Sequence, residues 1–410
     1  MAHSAGRFPK TGLVARAVCL LFAAVWGPAA RGQPQHAPPE HVTPEAAAEQ
    51  LGGVTRITVH AREQSPTTVL REIARQAGVG LDDYDVRETL GKSPPLTIDV
   101  EDQPFWQVMR SVTTRLGIHA AFRERPDFWS HESGWMLELR SGADTRVQGP
   151  SRVEGPFVIV ASRSVRSRYL TEPSEPPRGT QAMIDLIILV DPRVRLRGRP
   201  SGRDLKVLDD RGNPLTVVGP EYSWPHDVQM LSPLMWRLTA VVDLPEQGAT
   251  RIGKIQGVLS DLVATVESER WEVSDLSVVP GADASDKGSA RRAGGAQFAI
   301  RSLIPEPDGD ERQFRLTLAS FGLGETADFG WPARTGDDRA AAIELLDGAG
   351  RRYFAQSWEE AERGVWHVRF RPRVDKENEP VGDPAKLIWK LPTKVVEIDV
   401  PFEFTDLPLP

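Results

Sequence analysis

From residue 151 to the end, the chain carries no long apolar stripe at helical spacing, and this constrains its fold more than any other feature. Apolar and polar residues alternate instead. In "RWEVSDL", Trp271 and Val273 share one face of a strand while Glu272 and Ser274 share the other. The chain's last residues repeat the phrase as "PFEFTDL", with Phe402 and Phe404 set against Glu403 and Thr405. Between such runs stand turn residues. Asp209-Asp210-Arg211-Gly212-Asn213-Pro214 and Asp347-Gly348-Ala349-Gly350 tolerate positive φ or start turns, which suits hairpins. The 35 Gly and 34 Pro among 410 residues fit many short strands and turns. These segments are expected to form β-sandwiches of immunoglobulin-like kind.

Offsets between matching phrases predict a tandem repeat. "WEVSDL" starts at Trp271 and "FEFTDL" at Phe402, 131 positions later, and "MIDLIILV" at Met183 precedes "FRLTLASF" at Phe314 by the same shift. Leu208 and Leu346 lie in similar Leu-Asp turns 138 apart, and "WRLTAVV" from Trp236 resembles "WHVRFRP" from Trp366, 130 on. A unit of about 130 residues used twice accounts for all four. Residues 151–280 and 296–410 are then two sandwiches, joined by a Gly, Ala and Ser-rich linker over 281–295. Each is closed by its own last strand, with Trp271 and Phe402 in equivalent inward positions.

The first third of the chain has another rhythm. Ile57, Val59 and Ala61 alternate as a strand; Ser65 then caps a helix whose stripe is Val69, Leu70, Ile73, Ala74 and Ala77, stopped by Gly78. Val79 and Leu81 restart a strand, and Leu96, Ile98 and Val100 form another. Asp102 is predicted to cap a second helix carrying Phe105, Met109, Val112 and Leu116, which ends at Gly117, with "IHAAF" as a further strand. The pattern is β-α-β-β-α within a module over residues 51–150, and the fold class of the whole is α+β. Residues 54 to 122 supply a complete apolar face and are expected to fold without the sandwiches.

The segments "SPTTVLREIARQAGVGL" and "PPLTIDVEDQPFWQVMRSVTTRLGI", in this order after a strand, resemble the short N-terminal domain shared by secretins and TonB-dependent receptors. The resemblance covers residues 54 to 122 and carries no catalytic residue. It implies a periplasmic module that serves protein contacts such as docking or signalling. No secretin core follows it, nor the run of alternating ten-residue segments with aromatic girdles that an outer-membrane barrel needs.

The start of the chain supports the same compartment. Arg7, Lys10 and Arg16 precede the apolar run "LVARAVCLLFAAVW", and small residues lead to a cut at Gln33, so residues 1–32 read as a secretory signal. Arg16 leaves too short a run for an uncleaved anchor, and no transmembrane segment is expected after cleavage. Removing Arg7, Lys10, Arg16 and Arg31, with no acidic residue, takes the formal charge from −7 to −11. Such a surface repels the phosphate backbone, so no nucleic-acid partner is expected. Cys19, the single cysteine, departs with the signal, which leaves no thiol nucleophile, thiolate metal site or disulfide. Residues 33–50 are rich in Pro, Gln, Glu and Ala and are expected to be a flexible linker.

Candidate chemistry is sparse. His36 and His41 stand five apart in that linker, without an acidic or sulfur partner in sequence to close a metal geometry. "LDDYD" groups Asp82, Asp83 and Asp85 and is expected to be an exposed loop. Asp308 and Asp310 in "EPDGDERQ" lack the spacing of a helix-loop-helix calcium site. No HxH or HExxH spacing, G-x-S-x-G elbow or phosphate loop occurs. No catalytic, cofactor-binding or metal residue is therefore assigned, and no cofactor is expected. The chain reads as an exported, non-enzymatic binding or scaffold protein whose partner is an envelope protein. The alternative partner is a sugar stacked on exposed Trp129, Trp331 or Trp358, and Trp129 with Trp135 flanks one such turn. A catalytic site assembled from distant residues is the third reading.

Overall fold

The structure, a computed structural model, describes residues 40–91, 93–125, 134–142, 145–168, 180–197, 201–218, 227–232, 234–244, 250–274, 276, 290–293, 296–306, 313–321, 343–362, 365–372 and 381–409. The fold is α+β and mostly strand. Its first third contains β1 (Glu40–Val42), α1 (Pro44–Gln50), β2 (Arg56–Gln64), α2 (Pro66–Ala77), β3 (Gly80–Leu81), α3 (Asp83–Leu90), β4 (Leu96–Pro104), α4 (Phe105–Leu116), β5 (Ile118–Arg125) and β6 (Gly134–Ser141). Ser65 accepts the Thr68 amide at 3.2 Å and starts α2, whose five expected stripe residues are all buried. Gly78 and Gly117 end α2 and α4 in the left-handed conformation, at φ 66° and 64°. Strands β2 and β4 pair in one sheet, and β3, β6 and β5 in another. Helices α2 and α4 each touch both sheets and form the layer between them.

Local expectations fail in three places here. Asp102 does not cap α4: it lies inside β4 at φ 48°, and Pro104 stands at the cap position without a side-chain bond. The "LDDYD" stretch opens α3, because the Asp82 carbonyl accepts the Val86 amide at 3.0 Å and Val86 and Leu90, one turn apart, are buried. Part of the supposed linker is also ordered. Thr43 accepts the Ala46 amide, Pro44 takes the first helical position, and Ala47 enters the core with no exposure. Gly155, at φ 51°, lets α1 approach so closely that a Cβ there would stand 2.2 Å from the Pro44 carbonyl oxygen.

The middle of the chain forms β7 (Ser151–Glu154), β8 (Phe157–Arg168), β9 (Thr180–Val190), β10 (Leu196–Arg197), β11 (Ser201–Asp209), β12 (Pro214–Leu215), β13 (Asp227–Ser232), β14 (Met235–Asp243) and β15 (Arg251–Ser274). A five-stranded sheet of order β13-β14-β9-β8-β7 shares one buried cluster with residues of β11 and β15, as facing layers of a sandwich do. The same cluster takes in the N-terminal helices. Side-chain hydrogen bonds lock the parts together. Asp191 accepts from the Thr55 amide and hydroxyl, each at 2.7 Å, and the Trp106 indole donates to the Val190 carbonyl at 2.7 Å.

The last part comprises β16 (Ala290–Ala293), β17 (Ala296–Pro305), β18 (Phe314–Phe321), β19 (Ile343–Asp347), β20 (Arg352–Glu362), β21 (Val365–Pro372) and β22 (Pro384–Pro408). These strands extend a 12-stranded sheet of order β12-β11-β15-β22-β19-β20-β21-β18-β17-β16, with β1 paired to β22 and β10 to β15 off this path. Strands far apart in that order, β17 and β22, line one second cluster, so the sheet folds back around it. At about 3.3 Å per residue, the 24 residues of β15 reach about 80 Å, far beyond one sandwich. It pairs antiparallel with β22 from Arg251↔Pro408 to Ser274↔Lys386. Asp261, at φ 58°, marks the break in register midway.

This ribbon changes the expected placement of the repeated phrase. Trp271 and Phe402 are both buried, at 7% and 3% exposure, and Glu272 and Glu403 face solvent. Each terminal strand, however, leaves its own segment. Trp271 sits in the second cluster, stacked on Trp389 with centroids 5.9 Å apart, whereas Phe402 sits in the first. Only the first halves of β15 and β22 stay with their own segments; the later halves, which carry Trp271 and Phe402, enter the other segment's cluster.

Registers in the two segments nevertheless correspond. Trp236 pairs with Ile188 and Trp366 with Leu318, both partners 130 positions on. Asp209 accepts the amides of Arg211 and Asn213, as Asp347 accepts those of Ala349 and Arg351. Lys254 pairs with Glu403 at 2.8 Å, and Lys386 with Glu272 at 2.6 Å.

Candidate functional site

Strand β22 alternates between two surroundings as it enters the first sandwich. Val396, Ile398 and Val400 are fully buried, so Glu397, Asp399 and Pro401 point the other way. Next to that strand an open groove of about 410 Å³ is lined by residues of β7, β11, β15 and β22. Gly257, Val258 and Pro401 give it an apolar strip, while Arg152, Lys206 and Glu403 are among its charged walls. Gly257 is required there: a Cβ would stand 2.9 Å from the Phe402 ring, directly across the ladder.

The charges of the groove are largely spoken for. Arg152 donates to the Glu403 carbonyl at 3.2 Å and stands 3.9 Å from Glu154, and Lys254 holds the Glu403 carboxylate. Among the described residues the lining offers carboxylates, cations and the Gln256 amide, and no His, Ser, Thr, Tyr or Cys. Such a surface suits salt bridges and hydrogen bonds to another polar surface more readily than covalent chemistry.

Just beyond the groove, β1 adds to β22 in parallel register, with His41 opposite Glu397. His41 Nε2 lies 3.4 Å from Glu397 Oε2, and Nδ1 lies 3.9 Å from Asp399 Oδ2. Arg203 from β11 ion-pairs with Asp399 Oδ2. The two carboxylates were invisible as partners of His41 from sequence. "VVEIDV" displays the polar stripe Glu397 and Asp399, but nothing local says that a three-residue strand near the start of the chain will lie against it.

Other candidates do not converge. His60, on β2, is exposed beside Asp99, His119 is on β5 and His367 on β21, in three different sheets. Asp82 stands at the start of α3, where its carbonyl accepts the Val86 amide; the side chains of Asp83 and Asp85 lie outside the described residues. His36, Trp129, Trp331, Asp308, Asp310 and the Trp358 side chain also lie outside them, as does the whole of the expected signal with Cys19. Trp135 is buried, with the Arg195 guanidinium 4.2 Å from its ring centroid, and so packs rather than presents a sugar platform. Among the described residues no helix is long and apolar enough to cross a membrane.

No family model and no curated protein matches the chain. Among solved structures, a conserved domain protein from Bacillus anthracis aligns with 63% of this chain and 89% of its own length, at 8% identity and a TM-score of 0.16. A likeness of that size carries no argument about fold or function.

Proposed function

We propose that the chain is an exported, non-enzymatic binding or scaffold protein of the cell envelope that acts through protein contacts. The observation that carries this reading is the groove lined by β7, β11, β15 and β22, with an apolar strip and charged walls. The secretory pattern of residues 1–32 and the contact-module resemblance of residues 54 to 122 support the same compartment and role. In this reading the two β-rich segments are copies of one unit whose last strands have been exchanged between them. The matched registers of β9–β14 and β18–β21, and the twin turns at Asp209 and Asp347, support that duplication.

The test is affinity purification of the tagged mature chain from its own envelope fraction after mild cross-linking, with mass spectrometry of what is retained. A Lys206→Glu, Gln256→Arg variant, altered only on the outer face, should lose a specific retained protein. Retention of an identical set by both forms, or Met1 still present on envelope-associated chain, would count against the proposal.

A further inference from the structure

We propose that His41, Glu397 and Asp399 form a binding site for one divalent transition-metal ion of the zinc class. The backbone sets the arrangement. Parallel pairing puts His41 beside Glu397, and the period of two puts Asp399 on the same face as Glu397, one step along. One ligand atom from each residue lies within 4.8 Å of the other two. A tetrahedral ion with bonds of about 2.0 to 2.2 Å needs its ligand atoms about 3.3 to 3.5 Å apart. The separation of 3.4 Å between His41 Nε2 and Glu397 Oε2 already meets this; Asp399 Oδ2 lies 3.9 Å from the other ring nitrogen, Nδ1, so the side chains must turn for both carboxylates to share one nitrogen's ion.

A second observation points to a ligand. Asp399 Oδ1 is shielded from solvent and accepts no hydrogen bond among the described residues, although Arg203 holds the other oxygen of the same carboxylate. A carboxylate oxygen cut off from both water and donors is costly, and a cation satisfies it. Arg203 then plays the part of an outer partner that orients a ligating carboxylate. Two carboxylates against one guanidinium give the site an excess of acidic groups, which favours cation entry.

The donor set selects the class of ion. One imidazole and two carboxylates supply too few oxygens for calcium, which takes 6 to 8. Three N and O ligands with an open fourth position suit zinc and its first-row neighbours. Binding would also fasten β1, which is held to β22 by only three paired positions.

Calorimetric titration of the mature full chain with zinc chloride tests the proposal. A single saturable equivalent is expected. His41→Ala should weaken it by about tenfold or more, and Glu397→Gln likewise, while His60→Ala leaves it unchanged. The His41 side chain is 56% exposed, so its replacement leaves the fold intact for the measurement. Cobalt in place of zinc should give visible bands that change in His41→Ala. Absence of saturable binding up to about 100 μM free zinc, an affinity unaltered in both ligand variants, or a loss seen only in His60→Ala would overturn the assignment.

Discussion

If the ribbon of β15 and β22 crosses between two cores, an aromatic residue on it should stabilise the strands of the other segment more than those of its own. Trp271→Ala removes a side chain that is 7% exposed, stacked on Trp389 at 5.9 Å and 17°, and clustered with Phe298, Leu316 and Val368. Truncating a buried tryptophan costs about 3 to 5 kcal/mol, and loss of a stacked partner places this case near the upper end. At about 1.4 kcal/mol per tenfold, local opening becomes about a thousandfold more frequent. Hydrogen exchange read by mass spectrometry should therefore show faster exchange in β17, β18 and β21, with β8, β9 and β14 still protected. Phe402→Ala, which empties the space against Gly257 in the first cluster, should give the opposite pattern. Glu272→Ala and Glu403→Ala should leave both patterns alone, since Glu403 pairs with Lys254, and Glu272 with Lys386 and Arg270, at the solvent-facing surface. Loosening of β8 and β9 by Trp271→Ala, with β18 and β21 unmoved, would refute the crossing.

Asp191→Ala strands the buried Thr55 amide and hydroxyl, each at a cost of about 1 to 3 kcal/mol, and should split the unfolding of the N-terminal module from that of the sandwich in calorimetry. The expectation that residues 54 to 122 fold alone leaves out β6, the central strand of the β3-β6-β5 sheet, so that fragment should show no cooperative melt and one extended to Gly142 should regain it. Asp347 is pushed up by its burial, but hydrogen bonds from Gly382, Arg351 and Ala349 outweigh this and hold its carboxyl below the ordinary range. A lowered folded-state pKa gives stability that is complete above the unfolded value and lost as pH falls through the folded one. Thermal melts of the parent should therefore drop below about pH 4, and Asp347→Asn should flatten that dependence while lowering stability by about 1 to 3 kcal/mol at neutral pH.

What the sequence disclosed and what it hid divide along the range of the interactions. Ser65, Pro66 and Gly78 are local signals, and α2 begins and ends where they stand, because a cap and a left-handed stop act within one turn. The alternation of Trp271 with Val273, and of Phe402 with Phe404, likewise predicted burial, since it depends on nothing but the pleat. Alternation is silent about which core a face enters. A strand of 24 residues reads the same whether it ends one sandwich or continues into the next, so β15 and β22 looked like two separate closing strands. Small residues deceived in another way. Ala47 and Ala48 make α1 look like tether, yet little bulk is just what a helix needs to settle against Gly155 and the long ribbon. His41 joins these two blind spots. It stands on a strand of three residues, too short for any periodic signal, and its carboxylate partners belong to the far end of the chain. A site built from a short strand and a distant one leaves only half of itself in any local pattern, here the Glu397 and Asp399 stripe, and its other half emerges only when the first and last strands pair.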